Sequence, residues 1–116
     1  MKIKVSEATK LQLDWLVAKC EARKPSAWVD HESGKAYVFM QAGDYRVEAA
    51  FSTAWTQGGP IIEREHMEFD YDAWTQMYLA ADGSSTGQGK THLIAAMRCF
   101  VASKLGDEVE VPDELC

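Results

Sequence analysis

THLIAAMRCFVASKLG, Thr91–Gly106, is the stretch that decides the fold. Thr91 offers a hydroxyl to cap a helix N-terminus, and Gly106 is the residue type that ends one. Between them Leu93, Ile94, Ala95, Ala96, Met97, Cys99, Phe100, Val101, Ala102 and Leu105 cover the helix nearly all round. Only Arg98, Ser103 and Lys104 interrupt them. A helix apolar on every side is a buried one. At about 14 residues it is too short to cross a bilayer, which takes about 20. The spacing therefore predicts a central helix over residues 92–105. A lone guanidinium on such a helix has to meet either a carboxylate, with Glu63 and Glu65 as candidates, or an anionic ligand, because an unpaired buried charge is very costly.

Upstream, Ile3 and Val5 alternate with Lys2 and Lys4 as a short strand does. Ser6 is read as an N-cap, with a helix following over residues 7–23. That helix carries two apolar stripes. Ala8, Leu11, Trp15, Ala18 and Ala22 form one, and Leu13, Leu16, Val17 and Cys20 the other. One stripe suffices to sit on a sheet, so the second asks for another helix, a loop or another subunit. Pro25 stops the helix at Lys24. Strands are expected over 27–30, 35–41 and 45–51, joined by turns at His31–Gly34 and Gly43–Asp44. Residues 52–59 read as a polar loop, and Pro60 as the first residue of a short helix through His66, with a strand as the competing assignment. Two further strands, bent at Asp70–Asp72, run through Met67–Tyr71 and Trp74–Leu79. Residues 82–90 read as a mobile loop of small residues. The order gives an α+β domain: an antiparallel β-meander sheet with an N-terminal helix and a buried C-terminal helix, spanning residues 1–106. Residues 107–116, with five acidic groups and no basic one, read as a solvated acidic tail.

The 116 residues carry 47 % apolar and 26 % charged side chains, an ordinary composition for one globular domain. Their net charge of −6 argues against nucleic acid as a partner, since phosphate contacts need clustered Lys and Arg. It is also modest for a DNA mimic. Locally the charge runs from +3 over residues 1–24 to −5 over residues 61–82. Cys20, Cys99 and Cys116 have no metal spacing and, with no signal-peptide core at the N-terminus, suit reduced thiols in a cytoplasm. His31, His66 and His92 carry no metal motif and are read as surface or capping residues. Glu63, Glu65, Glu68, Asp70 and Asp72 are read as a solvated face. No catalytic residue, metal or cofactor is expected.

GSSTGQGKT, Gly83–Thr91, imitates a phosphate loop. The pattern needs four residues between its first glycine and the Gly-Lys pair, and Gly83 leaves five before Gly89. No strand follows to hold magnesium, so this is a false match, although a helix start near Lys90 can still attract an anion. Trp55 stands beside Thr53, Thr56 and Gln57, with Gly58–Gly59 expected to leave backbone amides open. An aromatic plane with polar neighbours suits a planar ligand.

The segment WTQGGPIIERE, Trp55–Glu65, is similar to the WAQGGPIIERE segment of the NinX-like proteins of lambdoid phages and prophages. LIAAMR, Leu93–Arg98, and the run from Val101 to Pro112 resemble that family's C-terminal signature, and Lys2–Lys19 resembles its start. The family has Pro where His92 stands here, and the Gly-Lys before Thr91 is not one of its features. The resemblance implies a phage accessory protein of a kind that often blunts host defence, and no particular reaction. It joins Arg64 to the positions chosen on chemical grounds. The expected ligand set is Trp55, Gln57, Gly58, Gly59, Arg64, Thr91 and Arg98. The expected role is a non-catalytic sponge for a nucleotide-derived immune signal, built as a homo-oligomer. An adaptor that binds a host or phage protein through its apolar stripe and acidic tail is the alternative.

Overall fold

The computed structural model describes all 116 residues. At its centre lies the buried helix (α3, His92–Leu105). The Thr91 hydroxyl accepts from Ile94 N–H at 3.1 Å, and Gly106, at φ +89°, donates back to the Ala102 carbonyl at 2.9 Å. Both ends are where the sequence puts them. Leu93, Ala95, Ala96, Met97, Cys99, Phe100 and Val101 are all buried.

The N-terminal strand (β1, Lys2–Lys4) leads into a 3-10 turn over Val5–Glu7, so Ser6 caps nothing. The first helix (α1, Lys10–Cys20) starts at Thr9 instead. Thr9 Oγ1 accepts from Gln12 N–H at 3.3 Å while Gln12 Oε1 accepts from Thr9 N–H at 2.9 Å, a reciprocal capping box. Leu13, Leu16, Val17 and Ala18 enter the core, and Leu11 and Trp15 pack partly against its margin. The core takes up Ala8, Leu13, Leu16, Val17 and Ala18 from the two stripes, leaves Leu11, Trp15 and Cys20 partly buried at its margin, and excludes Ala22, which lies exposed beyond the end of α1.

The class is α+β, but the single expected meander is two. The first sheet has the order β2 (Ser26–Val29), β3 (Ala36–Ala42), β4 (Tyr45–Glu48). The second has the order β5 (Glu68–Asp72), β6 (Met77–Ala81), β7 (Thr86–Gly89), all antiparallel. The turn between β5 and β6 lies at residues 73–76, not at Asp70–Asp72, because Asp72 pairs with Met77 in the ladder.

Three loop or tail readings are corrected. Residues 55–59 are helical, for α2 runs from Trp55 to Arg64 with Pro60 inside it. Gly58 N–H donates to the Ala54 carbonyl at 2.9 Å, so its amide is not open. Its own Cβ would collide with the Phe51 carbonyl and Leu93, so the position demands glycine for close packing and the tertiary contact overrides poor helix propensity. The supposed mobile loop holds β7, whose Gly87 and Gly89 lie directly against α3. Residues 107–116 are stitched into the fold, with β8 (Glu108–Glu110) pairing β1 antiparallel and Val109, Val111 and Leu115 buried. The acidic side chains of that segment face solvent, as does Cys116.

Candidate functional site

Two helix N-termini open on one cleft of about 410 Å³. Ser52, Thr53 and Trp55 bring the start of α2 to it, and Lys90 through Ile94 bring the start of α3. Thr91 caps α3, whereas Ala54 gives α2 no side-chain cap. Each helix start carries a partial positive charge on its free amides. Lys10 and Lys90 add two full charges, and no carboxylate lines the cleft. The field inside it favours an anion.

One wall is aromatic. His92 lies on Tyr78 with ring centroids 3.9 Å apart and meets the edge geometry of Phe69 at 5.1 Å. Trp55 stands 6.3 Å from His92 at 50°, and at 57 % exposure its indole is free to accept a ring. Tyr78 reaches this wall because β6 alternates it to the side facing α3. The cleft can therefore hold a flat π-system and a negative group side by side.

The structure splits the expected ligand set. Trp55 and Thr91 share this cleft, and Gly59 sits behind the indole, 3.6 Å from it by its would-be Cβ. Gln57 is spent on structure, accepting from Ala50 N–H at 2.7 Å and donating to the Glu48 carbonyl at 3.1 Å. Arg64 grips Glu21 with two bonds of 2.9 and 3.2 Å and Glu65 with one of 2.9 Å. Those bonds push the guanidinium pKa up and hold Glu65 below its usual range. Arg64 and Gln57 border a different hollow, beside Pro60 and Ile61.

Arg98 meets neither a carboxylate nor the Trp55 cleft. Its Nη1 donates to the Gln88 carbonyl at 2.8 Å and its Nη2 to the Ala8 carbonyl at 2.9 Å, while Nε is buried without a partner. Burial pushes its pKa down. The guanidinium ties β7 and the entry to α1 onto α3, and lines a separate hollow of about 220 Å³. Arg98→Met should lower unfolding free energy by about 1–2 kcal/mol through two orphaned carbonyls. Urea titration measures this, and ligand affinity at the Trp55 cleft should not change.

Lys10, Tyr78, Lys90 and His92 were not in the expected set. His92 and Lys90 had a signal in their adjacency to the Thr91 cap. Lys10 and Tyr78 come from remote segments, and their approach depends on tertiary structure. Cys20 and Cys99 offer no nucleophile here, since burial pushes both thiols up to about 11, and Cys116 lies outside the cleft. No group of three His, Cys, Asp or Glu is assembled to hold a metal, and no helix is long and apolar enough to cross a membrane.

A family model described as Bacteriophage P22, NinX matches residues 4–104, so the chain belongs to that family and is a phage accessory protein. No curated protein matches it.

Proposed function

We propose that this NinX family member is a non-catalytic binder that sequesters a nucleotide-derived signal of host antiphage immunity. The observation that carries the reading is the pairing of Trp55, Tyr78 and His92 with Lys10 and Lys90 in a cleft without carboxylates. A base stacked on Trp55 contributes about 1–3 kcal/mol. Phosphate oxygens would take the α2 and α3 amides and the two ammonium groups. Held this way, the ligand has its phosphate neutralised and its base covered. Nothing in the lining is placed as a nucleophile with an adjacent base, which suits storage over turnover.

The test is to purify the protein from cells making immune nucleotides, heat it, and identify what is released by mass spectrometry. An intact nucleotide is the expected result. Titration with that compound should show Trp55→Ala weakened about 10- to 100-fold, equivalent to losing one stacked ring, with an unchanged melting curve. Release of nothing, together with no tryptophan response to a panel of mononucleotides and cyclic dinucleotides, would reject the reading.

An adaptor role is the second reading. The C-terminal segment is packed into the fold and most of the α1 stripe is at least half-buried, so neither supports it strongly. Trp74 favours it instead, 97 % exposed at the tip of the β5–β6 hairpin, whose residues 67–82 carry four acidic groups and no Lys or Arg. A specific partner lost on Trp74→Ala, with an empty cleft, would support it.

A further inference from the structure

The second sheet is covered on one side only, by α3. Phe69, Tyr78 and Ala80 turn toward that side and the core, and strand alternation sends Glu68, Asp70 and Asp72 of β5 to the opposite one. Beside them on β6 lie Met77, Leu79 and Ala81, none of which packs against the core. β5 is also an edge strand. β6 pairs with one side of it, and no strand pairs with the other. No turn or loop backbone group bonds residues 68–72 either. On the other edge strands side chains take backbone carbonyls: Arg98 that of Gln88 on β7, and Gln57 that of Glu48 on β4. A free edge is a template for one more strand. Along this one the three carboxylates stand about 6.8 Å apart, two residues of strand rise. Asp72 Oδ1 accepts from Trp74 N–H at 2.9 Å, a turn contact, and none of the three is in an ion pair.

The molecule holds the matching pair in miniature. β1 sets Lys2 and Lys4 opposite Glu110 and Glu108 of β8, with Ile3 against Val109 on the other side of the ladder. Lys2 Nζ comes within 4.0 Å of Glu108 Oε2. The run from Glu68 to Asp72 repeats the acid–apolar–acid alternation of Glu108, Val109 and Glu110, but its free edge has no counterpart of Lys2, Ile3 and Lys4. Opposite charges facing each other across a ladder stabilise it, and like charges destabilise it. A second copy cannot satisfy this edge with its own β5, because antiparallel pairing about Asp70 would set Glu68 on Asp72 and Asp70 on itself. Its β1 is already held by β8. Nucleic acid is repelled by the same carboxylates. We propose that the free edge of β5 receives an extended segment of a partner protein with Lys or Arg at alternate positions. Those side chains would lie beside Glu68, Asp70 and Asp72, and the apolar ones between them would cover Phe69 and Tyr71, the latter 54 % exposed. In strand addition the main-chain bonds give affinity and the alternate side chains give specificity. This deepens the adaptor reading, on which it rests, and is independent of what the cleft holds.

The end-capped peptide Lys-Val-Lys-Val-Lys is the probe, and Lys-Lys-Lys-Val-Val, of equal charge and composition, is its control. Fluorescence anisotropy of the labelled peptides, taken to about 1 mM protein at low salt, spans the weak affinity of one short strand. The alternating peptide should bind, and the control at least about fivefold more weakly, since alternation alone puts every charge on one face. Bound peptide should slow amide exchange within residues 68–72 and leave β2, β3 and β4 unchanged. Asp70→Lys changes an exposed side chain, and circular dichroism should show it folded. It should weaken the alternating peptide about fivefold or more, while Lys-Val-Glu-Val-Lys should bind this variant better than it binds wild type. Three outcomes would overturn the proposal: no binding of the alternating peptide, equal binding of its control, and an Asp70→Lys variant that binds the alternating peptide like wild type. A partner protein that Trp74→Ala releases but Asp70→Lys retains would also overturn it, and would leave the adaptor reading standing.

Discussion

Alanine at position 87 is expected to destabilise this protein more than any other single methyl group added to it. The Cβ it introduces would fall inside tolerated contact distance of the Ala95 carbonyl oxygen and the Cys99 nitrogen, and 3.0 Å from Cys99 Cα. All three are backbone atoms in the middle of α3, so no rotamer change relieves the clash. Either β7 lifts off the helix or the helix shifts against α1, and both open the core around Phe100 and Val101. Forced overpacking of this sort costs about 3 kcal/mol or more, a large share of the about 5–15 kcal/mol available to a small domain. Urea unfolding should show Gly87→Ala with a sharply lowered midpoint or no folded baseline. Gly43→Ala is the control. Gly43 has open space around it and needs glycine only for its φ of +60°, a penalty of about 1 kcal/mol. If Gly87→Ala unfolds with the wild-type midpoint, β7 is not packed on α3 as described.

The same residue explains why the sequence misleads there. GSSTGQGK has the composition of a flexible linker, and composition does not distinguish a glycine that supplies freedom from one that makes room. Gly58–Gly59–Pro60 deceives in the same way. Helix propensity opposes α2 at those residues, and the contact of Gly58 with Phe51 and Leu93 decides in its favour. Where signals are local they were sufficient. Thr91 and Gly106 bound α3, and the aromatic, β-branched run at 35–41 is β3. Thr9 and Gln12 have the spacing of a capping box, and that reciprocal pair outcompetes the Ser6–Glu7 start.

The candidate site divides along the same line. Trp55 and Thr91 were legible from a lone indole and a helix cap. Lys10 and Tyr78 belong to α1 and β6, and nothing in their own neighbourhoods points to a ligand. Arg98 departs from its expected partners for a physical reason: neither a carboxylate nor a ligand is needed, because the carbonyls of Ala8 and Gln88 satisfy two of its donors. Backbone acceptors are present at every residue, so which of them is left over is visible only in the folded chain.

Asp14 should give the protein an inverted pH response that its asparagine variant lacks. The side chain is 4 % exposed, on the inner side of α1. Burial, aided by the nearby Glu48 charge, raises its pKa from 3.8 to about 6, against the lowering pull of Ser52 and Lys10. Between those two values the folded state holds a proton that the unfolded state has released. Stability therefore falls as pH rises through that window, by about 3 kcal/mol over the full shift, and is flat above it. Carboxylates such as Glu65, held low by Arg64, act in the opposite direction, so the wild-type curve mixes both trends. Subtracting the Asp14→Asn curve isolates the buried acid. Asparagine keeps the Oδ1 that accepts from Ser52 N–H at 2.8 Å and carries no charge to bury. Urea unfolding should find the two proteins equal near pH 4 and the variant about 2–3 kcal/mol more stable at pH 8. A variant less stable at pH 8 would mean that the charge itself holds the fold. Asp14→Ala separates the remaining contribution. It relieves the buried charge but orphans the Ser52 amide, which costs about 1–3 kcal/mol, and Ser52 is part of the cleft wall next to Trp55. Asp14→Asn should therefore bind ligand like wild type, while Asp14→Ala, stable or not, should bind it more weakly.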